Sequence, residues 1–340
     1  MHPPGLDLDR LHAYLAREHP GLVGGRLSAE LVTGGRSNLT YLVTDGRSEW
    51  VLRRPPLGHV LATAHDVARE YRVMTALADT DVPVPATVLL CTDPEVIGAP
   101  FYLMQRVHGT VYRTREQTAA LSEADRWRLS RALVDTLVDL HQVAPEAVGL
   151  GDFGRPDGFL ARQVRRWSTQ LAASRSRPLP GIERLAETLA GTVPKSGPPA
   201  IVHGDFRLDN LLVRGTTVVA VLDWEMSTLG DPLTDLGLLL VYWDRLTDDN
   251  PVVTGVGAGH GFPPGATLVE WYAARTGADL STLPWYVALG CFKLAVILEG
   301  IHYRYTLGKT VGEGFDQIGA MVPPLVERGL EALAHPERSI

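Results

Sequence analysis

Cysteine is scarce. Two occur in 340 residues, Cys91 and Cys291, and neither sits in a Cys-x-x-Cys or Cys/His cluster. That spacing disfavours a zinc site and points to a reducing compartment. An excess of basic charge is missing as well: 32 Lys and Arg stand against 39 Asp and Glu, a formal net charge of −7. A nucleic-acid partner, which calls for a basic face, is therefore not expected. Long apolar runs free of charge are also lacking. The most apolar window, residues 283–301, contains Lys293 and Glu299 and carries Pro284 near its start, so it reads as a buried core helix and not as a membrane span. The first ten residues lack the apolar core of a signal peptide, and the expectation is a cytoplasmic protein without a membrane partner.

Several catalytic signatures are missing too. There is no G-x-S-x-G elbow, no H-E-x-x-H and no internal repeat. Two stretches imitate nucleotide motifs and fail on context. Gly255-Val256-Gly257-Ala258-Gly259 is followed by His260 where a dinucleotide fingerprint needs its third glycine, and no strand precedes it. Gly308-Lys309-Thr310 looks like the end of a P-loop, but Tyr303 occupies the position of the required glycine.

What is there is ordinary globular composition, 45% hydrophobic and 21% charged, in a chain long enough for two domains. Apolar spacing predicts a helix over residues 6–18. Short strands follow near 30–32 and 39–43, flanking Thr33-Gly34-Gly35-Arg36-Ser37-Asn38. A glycine-rich tip of this kind can bring backbone N–H groups to an anion, or can simply be a hairpin turn. Residues 49–54 form a third strand, stopped by Pro55-Pro56. Its alternation puts Val51 and Arg53 on one face and Trp50, Leu52 and Arg54 on the other. A helix over 64–78 carries Glu70, which is either a surface residue or the partner of a strand cation. Strands at 87–91 and 101–106 complete a mixed, short-looped set, which suggests an antiparallel sheet with a helix on one face.

After Gly109 the pattern turns helical. Ser122-Glu123-Ala124-Asp125 reads as a capping box ahead of a long leucine stripe ending at His141. Helices are predicted at 158–173, 181–190, 233–243, 266–276, 283–306 and 313–334. Asp231-Pro232 is a strong helix start. Residues 244–264 read as an exposed loop.

The chemistry concentrates in Ile201-Val202-His203-Gly204-Asp205-Phe206-Arg207-Leu208-Asp209-Asn210 and in Leu222-Asp223-Trp224-Glu225. Between them, Leu211-Leu212-Val213 goes out, Arg214-Gly215-Thr216 turns, and residues 218–222 return. Asn210 and Asp223 are almost equally far from the turn, so a hairpin is expected to return one close to the other. An amide oxygen and a carboxylate are hard ligands of the kind Mg²⁺ takes beside a polyphosphate. A separate carboxylate, Asp205, is what phosphoryl transfer to an alcohol needs to engage the hydroxyl proton.

In this order the pieces resemble the aminoglycoside phosphotransferase and choline-kinase-like family, relatives of the protein kinases. His203-Gly204-Asp205 to Asn210, and Leu222-Asp223-Trp224-Glu225-Met226-Ser227-Thr228-Leu229-Gly230-Asp231-Pro232, are similar to the branch related to phosphotransferase-like domains of some acyl-CoA dehydrogenases. So is Ala64-His65-Asp66-Val67-Ala68-Arg69-Glu70-Tyr71-Arg72-Val73. The resemblance covers roughly residues 25–310. It implies an α+β, two-lobed protein-kinase-like fold: a small antiparallel-sheet, nucleotide-binding lobe over 1–107 and a larger, mainly helical, catalytic and acceptor-binding lobe over 108–340. It implies an enzyme that transfers the γ-phosphoryl group of ATP or GTP to a hydroxyl of a small molecule with Mg²⁺. Asp205 accepts or orients the hydroxyl proton, and Arg207 stabilises the transferring charge. Asn210 and Asp223 hold the metal. Gly35 and Ser37 cover the phosphates, and Arg53 replaces the usual strand lysine in pairing with Glu70. Backbone groups of Gln105 and Val107 meet the purine. His203 orients the loop, Asp231 caps and Asp235 braces it, while Glu225 is left between second ligand and acceptor wall. The expected acceptor is an antibiotic of aminoglycoside or nucleoside type, as in resistance by O-phosphorylation. Asp244, Asp248 and Asp249 are candidates to line a site for a polycation. The alternatives are a hydroxy acid or hydroxyacyl-CoA, with Arg162, Arg165 and Arg166 at its entrance, and a nucleotide-binding module without catalysis.

Overall fold

The computed structural model describes residues 3–32, 38–57, 66–244, 255–310 and 314–338. The chain forms two compact units. The first holds residues 1–109 together with 219–227. It opens with α1 (Leu8–Glu18), started by the Asp7 carboxylate, which accepts from the N–H groups of Asp9 and Arg10 at 3.0 Å. Then come β1 (Ser28–Leu31), β2 (Leu39–Thr44), β3 (Glu49–Arg54), α2 (Val67–Leu77), β4 (Thr87–Cys91) and β5 (Phe101–Gln105). The strands pair antiparallel in the order β1-β2-β3-β5-β4. Leu11 and Leu15 of α1 pack with Tyr41, Val43, Trp50, Leu52 and Leu103 in one apolar core.

The alternation expected for β3 holds: Trp50, Leu52 and Arg54 are buried on one face. Arg54 is tolerated there because its guanidinium donates to the carbonyls of Gly5, Pro55 and Ile97. Arg53 lies on the opposite face. Residues 219–227 join this unit although they come late in the chain. Val221 N–H donates to Pro83 O at 2.8 Å, Arg69 donates to Ser227 O at 3.1 Å, and a 3₁₀ turn at Trp224–Met226 packs on α2.

The second unit holds residues 110–218 and 228–340. Its elements are α3 (Arg115–Thr118), α4 (Glu123–Gln142), α5 (Phe159–Ser174), α6 (Ile182–Gly191), β6 (Ala200–Val202), β7 (Leu211–Arg214), β8 (Thr217–Val221, which crosses the unit boundary), β9 (Thr228–Gly230), α7 (Leu233–Trp243), α8 (Gly265–Thr276), α9 (Leu283–Thr306) and α10 (Val322–Ala334). β6 pairs antiparallel with β9, a strand too short to read from periodicity.

α9 is the core. It packs against α5, α6, α7 and α10. It is long and apolar enough to cross a membrane, but 83% of its most apolar window is buried within the fold. A Cβ on Gly237 of α7 would lie 2.6 Å from the Tyr286 carbonyl carbon of α9, so only glycine permits this approach.

Two sequence expectations need correction. No single helix runs over 313–334: the described part starts with a turn and a 3₁₀ stretch, Ile318–Met321, before α10. Pro323 and Pro324 lack N–H groups and fit only a first helical turn. Nor is 244–264 simply an exposed loop. Residues 245–254 lie outside the described residues, but Val256 and Phe262 are buried. Ala258 N–H donates to Trp243 O at 2.7 Å, and Trp243 Nε1 donates to Pro263 O at 2.9 Å.

Candidate functional site

In the helical unit the site is built on the loop that leaves β6. Its first turn is tied down by Asp235 of α7. That fully buried carboxylate accepts from the backbone N–H groups of His203 (2.6 Å) and Gly204 (2.8 Å). It also faces His141 Nε2 at 3.3 Å. With Nε2–H donating to the carboxylate, His141 Nδ1 accepts from the Tyr272 hydroxyl at 2.9 Å. Burial pushes the Asp235 carboxyl up, but its hydrogen bonds from His141 and from the His203 backbone outweigh it and leave it below the ordinary carboxylate range. The expected bracing role of Asp235 is therefore visible in its bonds. Gly204 takes φ 86°, and Asp205 N–H then donates to His203 Nδ1 at 3.2 Å. Further along, Asp231 Oδ1 accepts from Leu233 N–H at 3.1 Å while Tyr286 donates to its other oxygen at 2.8 Å.

Asp205 and Asn210 are brought together. The Asn210 amide nitrogen donates to the Asp205 carboxylate at 3.1 Å and to the Asp205 carbonyl at 2.8 Å, which leaves its amide oxygen as the remaining acceptor. The Arg207 guanidinium lies 3.6 Å from Asp205 and 3.4 Å from Asp209, stacked over the Tyr242 ring at 4.5 Å. Lys293 of α9 donates to Gly204 O and faces the Trp167 ring. Burial raises the Asp205 carboxyl, yet Arg207, Lys293 and His203 together hold it below its usual value. Asp205 is thus an ionised hydrogen-bond acceptor at neutral pH, suited to orienting a hydroxyl.

In the sheet unit a second set forms around Glu70, which is 1% exposed. Arg53 Nη1 lies 3.2 Å from Glu70 Oε2, Tyr102 OH donates to the same oxygen at 2.9 Å, and Asn38 Nδ2 donates to Oε1 at 2.6 Å. Burial pushes the Glu70 carboxyl up despite the Arg53 charge. Arg53 is opposed by burial, but Tyr102, Glu70 and Asp223 keep it firmly charged. The other arm of its fork donates to Asp223 Oδ1 at 3.1 Å. Asp223 sits at φ 63° and ψ 59°, a left-handed conformation that costs energy for a residue with a Cβ. Its side chain is 37% exposed, so the second carboxylate oxygen remains open to a ligand. Glu225 lies in the turn that follows.

Gln105 N–H is committed to Ala86 O at 2.8 Å, so only its carbonyl is left to face a base. Val107 N–H has no backbone acceptor among the described residues. Gly35 and Ser37 lie outside the described residues, as do Asp248 and Asp249. Asp244 is taken up by Arg328 at 3.1 Å. Arg162 donates to the carbonyls of Arg155 and Asp157, Arg165 is exposed, and Arg166 stacks on Trp167 at 5.2 Å.

Sequence reasoning missed Lys293, Tyr102, Asn38, His141 and Tyr242. A signal existed for one of them: a lone cation in an apolar helix needs a buried partner, and Lys293 was noted only as a charge that disfavours a membrane span. Among the described residues no group of three or more His, Cys, Asp or Glu is placed to hold a metal. An amide oxygen such as Asn210 Oδ1 in the helical unit, and a carboxylate oxygen such as that of Asp223 in the sheet unit, are each hard donors of the kind Mg²⁺ takes.

Comparison with known proteins points the same way. Residues 28–272 match the model of the phosphotransferase enzyme family. Acyl-CoA dehydrogenase family member 11 of Gallus gallus is 37% identical over 342 residues, covering 96% of this chain but 43% of the relative, so the chain spans less than half of that protein. A Ralstonia eutropha JMP134 structure, described provisionally as an aminoglycoside phosphotransferase, is 33% identical, with TM-score 0.84 and coverage of 97% of this chain and 98% of that one. The aminoglycoside phosphotransferase APH(4)-Ia, solved with AMP-PNP and hygromycin B, shares the fold at 13% identity, with TM-score 0.63 over 96% and 99% of the two chains. The kinase-like α+β architecture and the phosphotransferase activity class follow: the chain belongs to the phosphotransferase enzyme family.

Proposed function

We propose that the chain transfers the γ-phosphoryl group of ATP or GTP to a hydroxyl of a small molecule, with Asp205 orienting that hydroxyl. The observation that carries this reading is the arrangement around Asp205. An ionised carboxylate is fixed by Asn210, flanked by Arg207 and Lys293, and held on a loop whose first two amides are tied to Asp235.

Asp205 accepts the hydrogen bond of the acceptor hydroxyl and aims its oxygen at the phosphorus; a weakly basic carboxylate is enough where the transition state is loose. Arg207 offers guanidinium N–H groups to the transferring oxygens, and its stacking on Tyr242 limits where it can swing. Arg53, locked by Glu70, offers a fixed charge to the donor phosphates. Asn210 of the helical unit and Asp223 of the sheet unit are the residues that would offer a hard oxygen to Mg²⁺. Bound there, the metal would neutralise charge on the β- and γ-phosphates. The Gln105 carbonyl and the Val107 N–H are the backbone groups offered to the purine. In this scheme the sheet unit binds nucleotide, and the helical unit supplies Asp205 and the acceptor contacts.

For the acceptor, a hydroxy acid or hydroxyacyl-CoA is favoured by the match of 96% of this chain to part of an acyl-CoA dehydrogenase family member, and by Lys293 beside Asp205 with Arg166 beside Lys293. The pairing of Asp244 with Arg328 removes one of the carboxylates a polycation would need. An aminoglycoside or other antibiotic is the second reading, favoured by the Ralstonia eutropha neighbour and by the hygromycin B complex of the fold relative.

The test is nucleotide consumption with ATP and GTP against hydroxyacyl-CoAs, hydroxy acids, sugars, nucleosides and hydroxylated antibiotics. Turnover with a hydroxyacyl-CoA and none with antibiotics is expected. Turnover with an antibiotic only selects the second reading, and nucleotide binding without turnover on any acceptor leaves a non-catalytic module.

A further inference from the structure

The glycine-rich stretch 255–262, which fails as a dinucleotide motif, lines a cavity that the phosphotransfer site does not use. Its volume is about 200 Å³, and its walls come from α3, the first turn of α4 and this stretch. None of Asp205, Arg207, Asn210 or Lys293 lines it. We infer that this cavity is a binding site for a single oxyanion of phosphate size, held between Arg115, Arg126 and the backbone at His260.

Three observations carry the inference. The first is Arg126. Its Nη2 donates to Thr118 O at 3.1 Å, and its guanidinium lies against the Phe262 ring at 5.9 Å, but its buried Nε has no hydrogen-bond partner. A buried guanidinium N–H without an acceptor is costly, and an oxyanion in the cavity would supply one. The second is the backbone. Gly259, His260 and Gly261 take φ of 87°, 48° and 85° in succession. His260 shares this conformation only with Asp223 among the described non-glycine residues. Gly259 and Phe262 exchange backbone hydrogen bonds at 3.3 and 3.0 Å, so His260 and Gly261 form a tight two-residue turn whose positive φ values turn its outer N–H groups away from the ladder. The N–H groups of His260 and Gly261 donate to no backbone acceptor among the described residues, so they remain available to an anion.

The third observation is the charge of the lining. Arg115, Arg126 and His260 are its ionisable members, and no carboxylate is among them. Glu123 lies near the turn, its Cγ 3.6 Å from where a Cβ on Gly261 would be, but it does not line the cavity. Glycine is also required at the floor, where a Cβ on Gly257 would lie 2.0 Å from Trp243 O. The loop is thus pinned against α7 while its glycine-rich edge borders the cavity. A volume of this size holds one phosphate group with water, and no nucleotide.

The inference stands apart from the phosphotransfer reading and is tested without turnover. Inorganic phosphate is titrated into the full chain, followed by calorimetry and by the shift of the thermal midpoint, with Arg126→Met, Arg115→Gln and Arg53→Met in parallel. Saturable binding is expected, weakened about tenfold or more by Arg126→Met and by Arg115→Gln, as loss of a charge-assisted hydrogen bond implies. Arg53→Met removes any phosphate held at the proposed nucleotide site, and the binding that remains in it is that of the cavity. Arg115→Gln covers the case in which Arg126→Met fails to fold: phosphate binding at wild-type affinity in that variant overturns the inference. Absence of saturable binding to the wild-type chain overturns the inference, and so does binding lost with Arg53→Met but kept with Arg115→Gln and Arg126→Met.

Discussion

Arg53 Nη2 donates to Asp223 Oδ1 at 3.1 Å, so a proposed phosphate cation and a proposed metal carboxylate hold each other directly. The same guanidinium reaches Glu70 with its other arm at 3.2 Å. A lysine ammonium is a point charge on a flexible stem, whereas this fork divides its bonds between two carboxylates in fixed directions. Asp223 is thereby turned so that one oxygen is occupied and the other is open.

Asp223→Ala should remove the open oxygen and the Mg²⁺ dependence of nucleotide binding. Loss of one ionic ligand, about 1.5–3 kcal/mol, predicts affinity about tenfold or more weaker. Calorimetric titration of nucleotide with and without Mg²⁺ measures it, and unchanged Mg²⁺-dependent binding would remove Asp223 from the metal site.

Asp205→Ala should lower turnover by roughly 10²- to 10⁴-fold, the range for losing a positioned proton acceptor, while nucleotide affinity stays within about twofold. The two quantities are read from initial rates and from titration of the same preparation. Equal losses in both would mean that Asp205 shapes the fold of the loop and not the reaction.

Tyr102→Phe keeps the ring and removes the donor to Glu70 Oε2. A buried carboxylate that loses one of its donors costs about 1–3 kcal/mol, to be read as a lower urea midpoint with an unchanged slope. Asn38 and Arg53 still hold Glu70, so the variant should fold. An unchanged midpoint would show that Tyr102 is not part of the clamp.

Asp235 makes stability depend on acid. Its folded pKa is depressed below the unfolded value, so the folded state binds the proton less tightly than the unfolded one. The contribution is therefore fully present above the unfolded carboxylate value, about pH 4, and is lost as pH falls through the folded value. Asp235→Asn should destabilise by about 1–3 kcal/mol at neutral pH, because the amide NH₂ would face one of the two loop N–H groups that the carboxylate oxygens now accept from, and the gap should close in acid. Denaturant melts of both proteins across pH 2–7 test the sign; a gap that widens in acid contradicts it.

Much of the site could be read from the chain because its parts are local. His203, Gly204, Asp205, Arg207 and Asn210 lie within eight positions, and a loop after a buried strand must display them. Arg53 was placed by the two-residue period of β3, whose other face needed Trp50 and Leu52 for the core. Its pairing with Glu70 was one of two readings until the fold removed the surface alternative. Lys293 was hidden by distance: it meets Gly204 across 89 positions, where no periodicity carries information. Asn38 meets Glu70 across 32, beside a glycine tip that drew attention to phosphate and away from the clamp. The loop at 244–264 was misread because glycine and polar content resemble exposure, while burial of Val256 and Phe262 depends on what Trp243 offers them.

The sequence by itself determined the class of chemistry, because phosphoryl transfer needs particular side chains at short, fixed spacings and these survive in one dimension. It also determined the antiparallel sheet and the helical remainder, since hydrophobic period follows element type. Tertiary structure decided the electrostatic state of each group: which carboxylate stays ionised, which oxygen is left open, and which cation is already engaged. Those properties depend on burial and on charges a few ångströms away, and chain order does not encode distance.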